Sequence, residues 1–286
     1  MTMPYAEVIG DPVAQSKSPL IHKFWLEKLG LKGDYRATRV TAEELTDYLA
    51  IRRADRAWRG CNVTMPLKET VLQTGVLDWG VARAVVVGAV NTVVKKRAKL
   101  TGDNTDLAGF MEPLESLLAK PHLFRMARVL GTGGAARAIV SELHRHGFTI
   151  VLAGRNLDKA RAMLDKLAPY GEHHAVHIDH FASSTDFAFD DREGCLDLVV
   201  NASPLGMRGQ PQLAFDWSHA PPDSVAYDIV TDPVDTRFLI DARAAGFRTI
   251  DGLAMLIGQA ATAFELFFSH PAPREHDGEL RALLTR

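Results

Sequence analysis

The chain has 286 residues, 47% hydrophobic and 24% charged, with a formal net charge of −2. This is ordinary globular composition, long enough for two domains that each bury a core. Nothing in the charge balance points to nucleic acid or an acidic membrane as a partner.

Two cysteines, Cys61 and Cys195, stand in no metal or redox spacing, so a reducing cytoplasm is the expected compartment. Met1 to Val8 carries Pro4 and Glu7 and lacks a basic segment followed by an apolar run, so it does not read as a signal peptide. The apolar stretch from Leu253 to Phe268 is interrupted by Gly258, Gln259, Thr262 and Glu265, which makes it too polar to span a bilayer.

Strand and helix signals alternate along the chain. Tyr5 to Gly10 predicts a strand. Pro19 to Leu29 predicts a helix with Ser18 as N-cap and Gly30 as its stop. Tyr35 to Val40 is a second strand, and Thr41 caps the helix that follows. Arg59 to Val63 is a third strand, Ala89 to Val94 and Lys99 to Thr101 form a hairpin, and a helix runs from the 103–106 segment to about Ala119. A new unit begins near Arg125, with a strand at Ala127 to Leu130, a helix at Ala135 to His146 and a strand at Thr149 to Ala153. An amphipathic helix at Leu157 to Leu167 and strands at Leu196 to Val200 and Val225 to Tyr227 follow. Helices at Thr236 to Ala245 and Leu253 to Ser269 are expected to return to the first domain. The alternation predicts an α/β fold of two domains: residues 1–106 with 240–286, and a doubly wound unit over 107–239. Residues 172–193 read as polar excursions around a weak strand.

Gly131-Thr132-Gly133-Gly134-Ala135-Ala136 fits G-x-G-x-x-G/A between a strand and a helix. Glycines there permit a tight turn and let backbone N–H groups approach a pyrophosphate. The next strand ends in Gly154-Arg155-Asn156 rather than in an acidic residue. Arg155 can grip a 2′-phosphate and Asn156 can add a donor, which favours NADP over NAD. In the blander reading, Arg155 is a solvated cation at a helix start.

Asn62-Val63-Thr64-Met65-Pro66-Leu67-Lys68 gathers an amide, a hydroxyl and an ammonium where a strand turns into a helix. Pro66 suits a first helical turn, which places Asn62 and Thr64 at a strand end and Lys68 one turn into a short helix. Read alone, the segment is a polar surface turn or a site. Asp106 opens the helix after Asn104-Thr105; alone it is a first-turn acid, but facing Lys68 it forms a proton-transfer pair. His173, His174, His177 and His180 cluster without a thiol or a helical face, and no metal is expected.

These segments together resemble the shikimate dehydrogenase family over nearly the whole chain. Ser16-Lys17-Ser18-Pro19 looks like its paired-serine segment, and residues 62–68 like its active-site strand end. Gly88-Ala89-Val90-Asn91-Thr92, Asn104-Thr105-Asp106 and Gln259-Ala260-Ala261 look like further substrate segments. Residues 201–207 and 251–256 look like cofactor-side loops. The resemblance implies a Rossmann-like NADP domain beside a mixed-sheet substrate domain, and NADP-linked interconversion of 3-dehydroshikimate and shikimate in aromatic amino-acid biosynthesis. It implies Lys68 and Asp106 as catalytic residues, Ser16 and Ser18 at the substrate carboxylate, and Asn62, Thr64, Asn91, Thr231 and Gln259 around the ring. It places Gly131, Thr132, Gly133, Gly134, Ala135, Arg155, Asn156, Ser203, Ile229, Gly252 and Met255 at the cofactor. The expected partner is a small molecule, with no nucleic acid or membrane, and the expected state is a monomer or homodimer. Gln15, Lys23, Asn156, Thr231 and Ala254 depart from the family pattern. Thr231 stands where a substrate-contacting Tyr is usual, which leaves quinate or a broader range of substrates open. NAD use in place of NADP, and a catalytically silent NADP-binding relative, stay open beside it.

Overall fold

Apolar strands alternating with helices build two six-stranded sheets in the computed structural model, which describes residues 2–189 and 192–286. Residues 1, 190 and 191 lie outside that description, including part of the irregular stretch expected over 172–193. In chain order the first elements are β1 (Tyr5–Gly10), α1 (Ser18–Lys28), β2 (Asp34–Arg39), α2 (Leu45–Ala54), β3 (Trp58–Val63) and α3 (Leu67–Thr70). Then come β4 (Trp79–Gly80), α4 (Ala82–Val87), β5 (Thr92–Lys96), β6 (Lys99–Asp103), α5 (Asp106–Met111) and α6 (Glu115–Leu118). The later elements are β7 (Phe124–Leu130), α7 (Gly134–Arg145), β8 (Thr149–Gly154), α8 (Leu157–Leu167), β9 (His173–His177) and β10 (Cys195–Asn201). The last are β11 (Val225–Asp228), α9 (Arg237–Ala244), β12 (Arg248–Ile250), α10 (Gly252–Phe268) and α11 (Asp277–Leu284).

One compact unit comprises Met1–Gly109 and Ile257–Arg286. Its sheet runs β2-β1-β3-β5-β6-β4 and is mixed: β1 is parallel to β2 and β3, whereas β3–β5 and β5–β6 are antiparallel. Every residue of β1 is buried, as a central strand covered on both faces requires. The N-cap of α1 is Lys17 rather than the expected Ser18, because Ser16 Oγ accepts the Ser18 N–H at 3.3 Å and turns the chain early. The N-cap of α2 is Glu44 rather than the expected Thr41; the two bond reciprocally in the turn before the helix, Thr41 N–H to Glu44 Oε2 at 2.9 Å and Glu44 N–H to Thr41 Oγ1 at 3.4 Å. The helix expected from Asp106 to Ala119 is broken into α5, a 3-10 turn at Glu112–Leu114 and α6, since Pro113 removes a donor and crowds the preceding turn.

The other unit is Phe110–Leu256, with an all-parallel sheet in the order β12-β11-β10-β7-β8-β9. Alternate strand residues supply its two faces. Val129, Leu198 and Ile150 pack with Ile139 and Leu143 of α7; Leu130, Val199 and Ala226 pack with Phe238 and Leu239 of α9. This is the expected doubly wound arrangement. α9 does not return to the first unit as expected, because Phe238, Leu239 and Ala242 bury their apolar stripe on this sheet. The return falls within α10, after Leu256 rather than at residue 240. Among the described residues no helix is long and apolar enough to cross a membrane.

One glycine is fixed by a close approach. Gly60 on β3 has φ +153, and a Cβ there would lie 2.7 Å from Phe267 Cε1 and nearer still to the Val93 carbonyl oxygen. That oxygen belongs to the strand paired with β3. Gly60→Ala is therefore expected to lower unfolding free energy by about 2 kcal/mol. A denaturant melt with a parental midpoint would show that the sheet yields instead.

Candidate active site

The mixed sheet delivers the polar residues of the first unit to one end. Asn62 on β3 is in register with Thr92 on β5, and Thr92 with Asp103 on β6, so three strand ends lie side by side. The main chain ties them further, with Val63 N–H to Asn91 O at 2.7 Å and Asn91 N–H to Asp103 O at 3.1 Å. Past β3, Leu67 N–H bonds to Thr64 O at 2.9 Å, so α3 begins at Leu67 and Pro66 is its N-cap rather than its first residue. Lys68 is consequently the second residue of the helix, not one turn in. The Met65–Pro66 peptide is cis.

Lys68 Nζ lies 2.6 Å from Asp106 Oδ2, with side chains 16% and 6% exposed. The other carboxylate oxygen, Oδ1, accepts from Asn91 Nδ2 at 2.9 Å. Asn91 Oδ1 in turn accepts from Thr105 N–H at 2.7 Å and Thr92 Oγ1 at 2.9 Å. Asn104 closes the array by donating to Ala89 O at 2.8 Å and accepting the Asp106 N–H at 3.1 Å. Removing charges from water is costly, and this pair is held by hydrogen bonds to both carboxylate oxygens. An ammonium has three donor hydrogens, so Lys68 keeps capacity to bond and protonate a ligand oxygen.

At the start of α1, Ser16 is half-buried and Ser18 buried. Thr64 is half-buried, with its N–H on Ile9 O at 2.9 Å. Gln259 of α10 is buried, its Oε1 3.4 Å from Thr105 Oγ1. Thr231 belongs to the other unit, in the segment after β11, and is half-buried.

In the second unit β7 and β10 flank the point where strand order reverses, the place where open α/β sheets bind ligands. Gly131 follows β7 with φ +125, and a Cβ there would lie 2.6 Å from the Ala202 carbonyl oxygen, so only glycine lets the two loops meet. A Cβ on Gly133 would meet nothing within 4 Å. α7 starts at Gly134-Ala135 with no side-chain cap, so its first N–H groups remain for an anion in that open space. Thr132 Cγ2 would lie 2.7 Å from a Cβ on Gly154, which binds the glycine turn to the end of β8. Arg155 and Asn156 follow and are exposed. Asn156 Oδ1 accepts Lys159 N–H at 2.9 Å as the cap of α8, which leaves its amide nitrogen as the donor. These residues fit a dinucleotide phosphate.

The remaining cofactor-side residues take structural roles here. Ser203 Oγ donates to Asn201 Oδ1 at 2.7 Å. Ile229 is half-buried, its N–H on Asn201 O at 3.1 Å, and Met255 lies in the core of this unit. Gly252 has no room for a Cβ, which would lie 2.6 Å from the Val230 carbonyl carbon.

A family model described as the shikimate dehydrogenase substrate binding domain matches residues 8–93, and one for the shikimate 5′-dehydrogenase C-terminal domain matches residues 252–276. The shikimate dehydrogenase (NADP(+)) of Sphingopyxis alaskensis is 48% identical, covering 98% of this chain and 97% of its own. The chain belongs to the shikimate dehydrogenase family. Within it, the shikimate 5-dehydrogenase of Thermus thermophilus, crystallised with NADP(H) and shikimate, is 35% identical with a TM-score of 0.80, covering 99% of this chain and 100% of its own. The ligand-free 5-ketofructose reductase of a Gluconobacter strain is 28% identical, also at 0.80, covering 99% of each chain.

The histidine cluster is absorbed locally. His173 Nδ1 accepts from Ile150 N–H at 3.1 Å, His177 Nδ1 faces Asp179 N–H at 3.4 Å, His174 Nε2 is 3.4 Å from Glu172, and the His180 ring packs on Phe181. Sequence reading missed the cluster beneath the cofactor-side loops. Asp228 Oδ1 accepts from Asn201 Nδ2 at 3.0 Å and Val230 N–H at 2.9 Å, and Oδ2 accepts from Thr236 Oγ1 at 2.6 Å. The only sequence signal was a polar residue at each strand end.

Burial pushes the Asp228 carboxyl up to about 6, against the hydrogen bonds from Thr236, Val230 and Asn201. The folded chain thus holds this proton more tightly than the unfolded chain, whose value is near 3.8. The resulting stabilisation is complete below that unfolded value and lost as pH rises through about 6. Asp228→Asn keeps the shape without the ionisation. Between about pH 4 and pH 7 the parent should lose about 2 kcal/mol that the variant retains; parallel pH–stability curves would overturn this.

Proposed function

We propose that this chain catalyses the reversible NADP-linked interconversion of 3-dehydroshikimate and shikimate in aromatic amino-acid biosynthesis. The observation that carries the reading is the Lys68–Asp106 pair, 2.6 Å apart and set in an array of short polar side chains. Such an array suits a polyhydroxylated acid, because a ligand lacking one hydroxyl leaves a buried partner unpaired at about 1–3 kcal/mol.

NADP, when bound, supplies or accepts the hydride at the ring carbon. Lys68 gives its proton to the carbonyl oxygen in reduction and takes it from the hydroxyl in the reverse direction. Asp106 holds the ammonium in place and accepts from a neighbouring ring hydroxyl. Ser16 and Ser18 bind the carboxylate, while Asn62, Thr64, Asn91 and Gln259 hold the ring hydroxyls. Gly131, Thr132, Gly133, Gly134 and Ala135 cradle the pyrophosphate, and Arg155 with Asn156 takes the 2′-phosphate. Ser203, Ile229, Gly252 and Met255 shape the adjoining loops. The compartment is the cytoplasm and the working unit a monomer or homodimer; the free thiols of Cys61 and Cys195 support a reducing compartment.

A second reading keeps the chemistry and widens the acid to quinate. Thr231 supports it, being a short side chain where a phenol is usual, as does the fold shared with a reductase named for a different ketone.

Initial rates with shikimate and quinate, each with NADP+ and NAD+, test the function. Shikimate with NADP+ should be fastest. No hydride transfer in any pairing would sink the enzyme reading, and preference for NAD+ would remove Arg155 from its role. Lys68→Ala should lower kcat by about 10²–10⁴-fold with KM for NADP+ near the parent value. Turnover within a few-fold of the parent would take proton transfer away from Lys68.

A further inference from the structure

Tyr35 lies outside every motif that points to the site, yet its hydroxyl begins a series of hydrogen bonds that ends there. It sits on β2 in register with Ala6 of β1, which is in register with Gly60 of β3. Ala6, the small residue of β1 in that row, shares a buried cluster with Tyr35, whose fully buried phenol reaches across β1. Tyr35 Oη donates to Asn62 Oδ1 at 2.6 Å. His22, also fully buried, stacks on the ring with centroids 3.9 Å apart and planes 2° from parallel. Among the described residues its ring nitrogens have no hydrogen-bonding partner, and burial pushes its pKa down to about 3, so it backs Tyr35 as a neutral face.

The donor sense of the series is forced. Asn62 Nδ2 is 3.4 Å from the main-chain oxygen of Asn91, which can only accept, so the amide nitrogen faces Asn91 and Oδ1 faces Tyr35. The same Nδ2 donates to Thr92 Oγ1 at 3.0 Å, and Thr92 Oγ1 donates its own proton to Asn91 Oδ1 at 2.9 Å. Asn91 Nδ2 donates to Asp106 Oδ1 at 2.9 Å. Every dipole from the phenol onward therefore points toward the carboxylate that pairs with Lys68.

We propose that Tyr35 is a positioning residue for the substrate: its phenol fixes the orientation of the Asn62 amide and, through Thr92, the donor sense of the array at Asn91 and Asp106. The inference rests on the function proposed above, in which Asn62 holds a ring hydroxyl. Without the phenol, Asn62 Oδ1 loses its donor and the amide loses its single preferred sense.

Tyr35→Phe keeps the ring, its burial and its stack on His22. The variant should raise KM for shikimate about tenfold while kcat and KM for NADP+ stay within about twofold of the parent. Thr92→Val breaks the series one step on, and Asn62→Ala removes its hinge. In the Asn62→Ala background Tyr35→Phe should change KM for shikimate no further, since a residue acting through another is silent once that partner is gone, and in the Thr92→Val background its effect should shrink to the part carried by Asn62 alone. A parental KM in Tyr35→Phe overturns the proposal. So do fully multiplicative effects with Thr92→Val, or a loss of affinity for both ligands together with a lowered melting temperature, which would mark general loosening. If Asn62→Ala does not fold, the Thr92→Val cycle decides alone. An inactive parent overturns the function and the inference with it; an active parent with an unaffected Tyr35→Phe overturns the role of Tyr35 only.

Discussion

A lysine and an aspartate drawn largely out of water depend on what surrounds them. In the pair formed by Lys68 and Asp106 both carboxylate oxygens are engaged, one by the ammonium and one by Asn91, which offsets part of the cost of removing them from water. Asn91 can serve only because Thr92 and Thr105 fix its other end. Those residues meet only because β3, β5 and β6 pair in a register that brings Asn62, Thr92 and Asp103 into one row. A slip of one residue would turn these side chains to the opposite face. The mixed sheet and the chemistry are therefore one constraint.

The second unit solves a different problem, that of bringing backbone close to backbone. Gly131 meets the loop after β10, and Gly252 meets the loop after β11, at distances no side chain would permit. Asn201, Asp228 and Thr236 hold those loops from below with a buried hydrogen-bonded cluster. The glycine turn and the uncapped start of α7 are left to face a phosphate.

Much of this was legible in the chain. The alternation of strands and helices gave two α/β units, and most of the expected elements lie within a residue or two of their bounds, while β4, α4, β12 and α11 carried no such expectation. Lys68 and Asp106, read from separate segments, form an ion pair. The differences have local causes. Ser16 turns the chain so that Ser18 enters the helix, and the turn at Thr64–Leu67 starts α3 after Pro66. Pro113 breaks the helix after Asp106, and α9 stays with the sheet its apolar stripe covers. Asn156, expected as a phosphate donor, also caps α8.

The sequence by itself determined what short-range physics governs: periodicities of two and 3.6, the glycine turn, the proline-bounded helices, and motifs whose polar residues follow one another closely. Tertiary structure alone decided which distant side chains complete them. Tyr35 reaches Asn62 across an intervening strand, and His22 stacks on Tyr35 from a helix. Asp228 gathers Asn201 from a neighbouring strand. These partners are set by the register of parallel strands, which leaves no local signal in the chain.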